Sequence, residues 1–341
     1  MAQITIEEIT EKIDWENFMD QHPESNFLQS FNWGKFHQNL GKTIYKIGFK
    51  EKEILVGVML CIVEKAKRAT YLTVPGGPLI SWEDETQVSA FIKAVKDLAK
   101  RKNCSFVRIR PQIIENEKNK KLVESLGFKI APMHLHAELT RQLDLTKTKD
   151  ELMIEMRKTT RYEIKQAIKL GIKISVSKDP KELEGFYNLQ KETAKRQRFV
   201  EFNKRFLQEQ FEVFAADNQV LLYTATLNNV KLAQAFIIFY GSEADYHYGA
   251  STLDGRKYPG AYLIQWEAIK EAKKRGMTRY NLWGVAPEGE TNHRFWGVSI
   301  FKRGFGGEDV SYLHARDLIV NSISYKVNWL IEATRKKVRR V

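Results

Sequence analysis

Apolar residues along this chain fall into helical and alternating rhythms that exchange repeatedly. Helical spacing predicts an opening helix over residues 6–20, and Asn32-Trp33-Gly34-Lys35-Phe36-His37 reads as the start of a second helix after the segment 26–30. β-rich runs follow at 43–49 and 54–64, with Glu51-Lys52-Glu53 as the turn between them. A strand over 71–74 ends at Pro75-Gly76-Gly77-Pro78. Residues 84–102 then place Val88, Phe91, Ile92, Val95, Leu98 and Ala99 on one helical face and feed a strand at 105–110. This order of strand, loop, helix and strand is that of a mixed α/β layer.

The second half repeats it, with strands at 219–227, 231–240 and 245–251 and Asn228-Asn229 as a turn. Pro75-Gly76-Gly77-Pro78-Leu79-Ile80-Ser81-Trp82 can be laid on Pro259-Gly260-Ala261-Tyr262-Leu263-Ile264-Gln265-Trp266 with five identities. A helix, a basic turn (Lys100-Arg101-Lys102, then Lys273-Lys274-Arg275) and a strand follow each, which points to internal duplication. Between the halves, Leu143-Asp144-Leu145-Thr146 reads as a last strand. Thr148-x-x-Glu151 is a capping box opening a helix to about residue 170, stopped by Gly171. The fold expected is α/β with some α+β mixing, in two lobes: 1–143 with 308–341, and 144–307.

At 341 residues and 39.7 kDa the chain is large enough for two cores. Its 43% hydrophobic and 28% charged residues exclude disordered and fibrous classes. The longest apolar run, 54–63, falls short of the roughly 20 residues needed to span a bilayer. Glu7, Glu8 and Glu11 make the amino terminus unlike a secretory signal, so the expected location is the cytoplasm, with Cys61 and Cys104 reduced in the core. A net charge of +13 favours polyanionic partners, whether nucleic acid, nucleotide phosphates or an anionic membrane surface.

Templates that depend on a nucleophilic side chain or a bound metal are missing: there is no Gly-x-Ser-x-Gly elbow, no P-loop and no His-Glu-x-x-His. His134 and His136 lack further ligands at suitable spacing. What remains is cationic. Lys158, Arg161, Lys165 and Lys169 recur at i, i+3, i+7 and i+11, an arrangement that suits either a phosphate-tracking ridge or an ordinary solvated face. Tyr258-Pro259-Gly260-Ala261 opens a helix whose free N–H groups favour an anion or a carbonyl oxygen. Phe301-Lys302-Arg303-Gly304-Phe305-Gly306-Gly307 sets two cations among aromatics and glycines, suited to holding an oxyanion or a phosphate. Glu192-Thr193-Ala194-Lys195-Arg196-Gln197-Arg198-Phe199 and Lys204-Arg205-Phe206 interleave cations with aromatics. Near the carboxy terminus, Leu318, Ile319, Ile323, Val327, Leu330 and Ile331 form an apolar stripe before Arg335, Lys336, Lys337, Arg339 and Arg340. It reads either as a helix packed on the first lobe or, with Trp329, as an interfacial anchor.

Phe27-Leu28-Gln29-Ser30-Phe31-Asn32-Trp33-Gly34, Arg157-Lys158-Thr159-Thr160-Arg161-Tyr162, Glu192-Thr193 with Arg196, Tyr248-Gly249-Ala250-Ser251 and Phe301-Lys302-Arg303-Gly304-Phe305-Gly306 together resemble the FemABX peptidoglycan aminoacyltransferases, over about residues 25–315. The resemblance is to the compact FemX type, without a coiled-coil hairpin. It implies two GNAT-like lobes, the first binding the precursor and the second the aminoacyl-tRNA. The implied reaction moves an amino acid from aminoacyl-tRNA to the side-chain amine of the third stem-peptide residue of UDP-MurNAc-pentapeptide or a lipid-linked precursor. Such an ester is already activated, so positioning and charge stabilisation suffice.

Carried over by position, the family's catalytic Phe-Lys pair falls on Phe301 and Lys302. The lysine gripping the precursor diphosphate falls on His37, with Lys35 two residues earlier. An Arg and a Tyr spaced four apart fall on Phe202 and Phe206, leaving Arg196, Arg198 or Arg205 to supply charge. Tyr248 and Tyr258 complete the expected substrate contacts, and Lys158, Arg161, Lys165 and Lys169 the expected tRNA contacts. No metal or organic cofactor is implied. The enzyme is expected as a monomer with peripheral membrane contact. A GNAT acyltransferase using acyl-CoA and a non-catalytic RNA-binding or membrane-surface protein are the rival readings.

Overall fold

The computed structural model describes residues 3–67, 69–197 and 201–339, in two units: Met1–Glu138 with Ser311–Val341, and Leu139–Val310. The first unit opens with β1 (Ile4–Glu8) and α1 (Lys12–Asp20), so the expected opening helix is in fact a strand followed by a shorter helix. Ile4 to Glu8 pair with Glu51 back to Ile47, and an edge strand already in register with a partner outcompetes the weak helical rhythm. Next come α2 (Phe31–Asn39), β2 (Thr43–Glu51), β3 (Ile54–Lys65), β4 (Thr70–Gly76), α3 (Glu85–Arg101), β5 (Phe106–Pro111), α4 (Glu117–Ser125) and β6 (Phe128–Ile130).

The second unit holds β7 (Leu139–Asp144), α5 (Lys149–Glu155), α6 (Lys158–Lys169), β8 (Lys173–Ser177), α7 (Leu183–Gln197), α8 (Lys204–Ala216), β9 (Val220–Leu227) and β10 (Val230–Tyr240). It continues with β11 (Glu243–Ser251), α9 (Gly260–Lys274), β12 (Arg279–Gly284), α10 (Trp296–Arg303) and β13 (Glu308–Ser311). The chain then returns to the first unit as β14 (Arg316–Ile319) and α11 (Ser322–Arg339). Among the described residues no helix is long and apolar enough to cross a membrane.

Each unit has a seven-stranded sheet, ordered β1-β2-β3-β4-β5-β14-β6 in the first and β8-β9-β10-β11-β12-β7-β13 in the second. The parallel pairs are β4 with β5 and β11 with β12, in the same place in both orders. The units are therefore topological copies, with one exchange: the sixth strand of each sheet is the segment that follows the other unit's last strand. β7 belongs to the second unit because Thr140 to Asp144 pair with β12, which moves the expected boundary from 143 to 138.

The octapeptide match does not carry the duplication. Pro75 and Gly76 end strand β4, whereas Pro259 and Gly260 start helix α9, and the structural counterpart of Gly260 is the start of α3 at Glu85. Strand order carries it instead. The two predicted hairpin turns form as read, with Lys52 and Glu53, and Asn228 and Asn229, all at positive φ as a tight two-residue hairpin demands. Each unit buries its own core: Phe49, Met59, Phe91, Val95 and Val107 lie in the first, and Leu143, Ile164, Tyr223, Ile269 and Tyr280 in the second. Cys61 and Cys104 are free and buried, with burial pushing both thiols up.

The long helix expected from residue 148 is two. The capping box at Thr148 and Glu151 forms, but Met156 is extended and the chain restarts at α6. Tertiary contacts make the break: the Arg157 N–H donates to the Gly304 carbonyl at 3.0 Å, and Met156 is buried in the core.

Candidate functional site

In the first unit β4 and β5 stay paired for five residues, from Leu72 opposite Val107 to Gly76 opposite Pro111. Asn26 and Gln29 finish that strand end, donating to the Gly76 and Pro75 carbonyls at 2.9 and 2.7 Å. In the second unit β11 and β12 pair only from Glu243 to Asp245 and then part. A bulge in the β10–β11 register lies between Phe236 and Ile237, and Trp283 at φ +64° turns the end of β12 away. Asn281 stabilises that conformation by accepting the Trp283 N–H at 2.8 Å. A Cβ at Gly249 would overlap the Tyr246 hydroxyl, which is why glycine stands in the Tyr248-Gly249-Ala250-Ser251 segment.

Lys302 enters this opening. It sits on α10, which three contacts suture to the end of β12 and the loop after it. Ser299 Oγ accepts the Ala286 N–H at 2.7 Å, Arg303 reaches the Ala286 carbonyl, and Lys302 Nζ donates to the Gly284 carbonyl at 2.7 Å. Arg303 is held in turn by Asp309. Lys302 is 8% exposed, with Nζ 5.7 Å from the centre of the Tyr246 ring. Burial lowers its pKa from the usual lysine range to about 7. Both protonation states are thus accessible near neutrality, a common property of groups that work chemically. Phe301 packs edge-on against Tyr262 and Phe305, at 4.9 and 5.2 Å between ring centres, and fixes α10 in the core.

An aromatic wall continues along β11. Tyr248 lies 5.0 Å from Phe202, and Phe202 stacks on Phe206 at 4.8 Å. Burial raises the Tyr248 hydroxyl pKa and holds His247 neutral, its pKa lowered to about 3. Gln210 anchors His247 at 2.9 Å between Nε2 atoms. Trp283, Tyr246 and His247 carried no signal in the sequence that sets them apart from core aromatics; the strand divergence is what brings them to one place.

Other expected residues are placed as follows. Lys35 is exposed on α2. His37, two residues on and so on the opposite side of the helix, is buried between Trp33 and Phe36, and burial lowers its pKa to about 3, so it presents no cation to a diphosphate. Arg205 is exposed near Glu209, and Tyr258 is 40% exposed just before α9. Arg198 lies outside the described residues, as does the side chain of Arg196. Lys158, Lys165 and Lys169 are exposed on α6. Arg161 is turned inward instead, donating to the Ile154 carbonyl at 3.0 Å and to the Met156 carbonyl, where it caps the end of α5. His134 and His136 lie in irregular chain. His136 packs on Trp33, while His134 meets Glu138 and His314, the one cluster of possible metal ligands among the described residues.

The carboxy-terminal stripe also differs from expectation. Leu318 and Ile319 belong to β14, and α11 packs through Tyr325, Asn328 and Glu332, not through its apolar face. Arg108, buried on β5, requires this: it bonds Asp317 at 2.7 and 2.8 Å and Glu332 at 2.8 Å, and Tyr325 donates to Asp317 at 3.1 Å. Ile323, Val327 and Leu330 are left outward, 80%, 50% and 63% exposed.

Comparison with known proteins agrees with this architecture. The chain matches the FemAB family over residues 9–231 and 222–333. It is 20% identical to the lipid II:glycine glycyltransferase of Staphylococcus epidermidis, over 95% of this chain and 94% of that protein. The crystal structure of FemX superposes with a TM-score of 0.85 at 18% identity, covering 95% of this chain and 99% of that one. A tandem GNAT protein from the clavulanic acid biosynthesis pathway superposes at 0.59 with 8% identity, covering 92% and 98%. Two sheets of one topology, the parted strands around Lys302 and a family match across nearly the whole chain converge, and we conclude that this protein belongs to the FemAB family, with its double GNAT-like fold.

Proposed function

We propose that the chain is an acyltransferase of peptidoglycan bridge synthesis that moves an amino acid from aminoacyl-tRNA to the side-chain amine of a lipid-linked or UDP-linked stem peptide. The observation that carries the reading is Lys302: a buried lysine with a pKa near 7, delivered by the family's Phe-Lys pair to the place where β11 and β12 separate. In the reaction the acceptor amine attacks the ester carbonyl and a C–N bond forms. The carbonyl oxygen takes up negative charge, the C–O bond to the tRNA ribose breaks, and the proton lost by the amine ends on the ribose hydroxyl. No covalent enzyme intermediate is required, in keeping with a site that offers a cation and aromatic walls. The Lys302 ammonium would donate to the developing oxyanion, and desolvation strengthens such a contact. Phe301 supports it by fixing α10.

The acceptor assignment rests on the lipid II:glycine glycyltransferases among the relatives. The donor assignment rests on the cationic face of α6 and the net charge of +13. The test offers radiolabelled glycyl-, alanyl- and seryl-tRNA, and separately acetyl-CoA, with lipid II or UDP-MurNAc-pentapeptide. Label is expected to pass from one aminoacyl-tRNA to the stem peptide. Transfer from acetyl-CoA alone would establish the acyl-CoA reading, and no transfer to any amine would leave a binding protein.

A further inference from the structure

Folding gathers a second set of chemically capable side chains in the first unit. His134, Glu138 and His314 come from two segments, one just before the chain enters the second unit and one just after it leaves. Glu138 is fixed by the Ala315 N–H, which its Oε1 accepts at 2.9 Å. Its other oxygen, Oε2, faces Nδ1 of His134 at 2.5 Å and Nδ1 of His314 at 2.7 Å. The far nitrogen of His314, Nε2, lies 2.9 Å from the Ala131 carbonyl. A carbonyl oxygen only accepts, so Nε2 carries the hydrogen, and the Nδ1 aimed at Glu138 holds either a second proton or a metal ion. A ligating imidazole is commonly oriented in just this way, with its remote N–H on a backbone carbonyl.

We propose that His134 Nδ1, His314 Nδ1 and Glu138 Oε2 form a binding site for a divalent first-row transition ion, with zinc the best match and water completing the shell. Two imidazoles and a carboxylate suit zinc in donor type and number. The three ligand atoms already lie within 4.8 Å of one another. Tetrahedral zinc places ligand atoms about 3.3 Å apart, so the pairs at 2.5 and 2.7 Å must open by less than about 1 Å. The His134 ring, 41% exposed, can swing to allow it and leaves an entry path from solvent. Both imidazoles face the same carboxylate oxygen. Bound metal would clamp residues 131–138 to 312–315, alongside the backbone bonds from Tyr312 to Glu138 and from Ala131 to Ala315. His136, two residues from His134 in sequence, packs on Trp33 at 6.0 Å between ring centres and takes no part in the cluster.

The experiment titrates Zn²⁺ calorimetrically into tag-free full-length protein and follows Co²⁺ by its visible absorption. One equivalent is expected to bind, with the intense bands of a tetrahedral site and a rise in melting temperature. His134→Asn, a change at an exposed ring, should weaken binding at least tenfold and abolish the thermal shift, while His136→Asn binds as the wild type does. Absence of a one-to-one complex overturns the proposal. So does a complex that His134→Asn leaves unchanged.

Discussion

Lys302 combines two opposed requirements. As the proposed oxyanion partner it must carry charge, yet its burial penalises that charge and brings its pKa to about 7. Loss of a preorganised oxyanion donor typically costs about 2.7–4 kcal/mol of activation energy, so Lys302→Ala should lower turnover by about two orders of magnitude in steady-state assays. The ratio of wild-type to Lys302→Ala turnover cancels the ionisation of the acceptor amine, and it should fall as pH rises through about 7. A flat ratio would remove the cationic role. Stability carries the opposite sign. Between about pH 7 and the ordinary lysine pKa the unfolded chain binds the extra proton, so the cost of the buried ammonium is fully present below pH 7 and fades as pH rises toward 10. Lys302→Met should therefore stabilise the protein most below pH 7, by about 1–3 kcal/mol after loss of the bond to Gly284, and little at pH 10, as read from denaturant midpoints at each pH.

Two helices separate structural from binding charge. On α6, Arg161 caps α5, whereas Lys165 and Lys169 are exposed. Arg161→Ala should cost about 1.5–3 kcal/mol of stability in thermal unfolding. The double change of Lys165 and Lys169 to Gln should leave stability alone and reduce the salt dependence of tRNA binding by about one to two units of slope in filter-binding assays. On α11 the polar side is buried and Ile323, Val327 and Leu330 face out, with Lys326 and Arg335 exposed nearby. If this face meets an anionic bilayer, each cation there would contribute roughly 1 kcal/mol. Full-length protein should sediment with anionic and not neutral liposomes, and Ile323→Ser with Leu330→Ser should abolish it. Unchanged sedimentation of that variant would assign the attachment elsewhere.

Across the whole molecule the exchange of β7 and β14 makes each sheet depend on a distant stretch of chain. Asp317 on β14 is fully buried against Arg108 of β5, and removing one partner of a buried ion pair costs about 3–5 kcal/mol. Asp317→Ala should lower stability by that amount in urea unfolding, a far larger loss than any exposed charge of the same unit would give.

Local chemistry made much of this readable beforehand. β2, β3, β9 and β10, their two hairpin turns, α3 with its Asp84 cap and the capping box at Thr148 all arise from contacts a few residues apart, so residue type and spacing determined them. Phe301 and Lys302 were singled out through the resemblance to the family, not through local periodicity. What tertiary structure decided depends on partners far along the chain. Gly304 breaks the helix at Met156, and Arg108 turns α11 polar side inward. The β11–β12 divergence makes Lys302 a buried group with a pKa near 7, and His314 meets His134 across 180 residues of sequence. Burial and long-range pairing are properties of the assembled sheet, and no local rhythm of apolar and polar residues encodes which distant side chain will arrive.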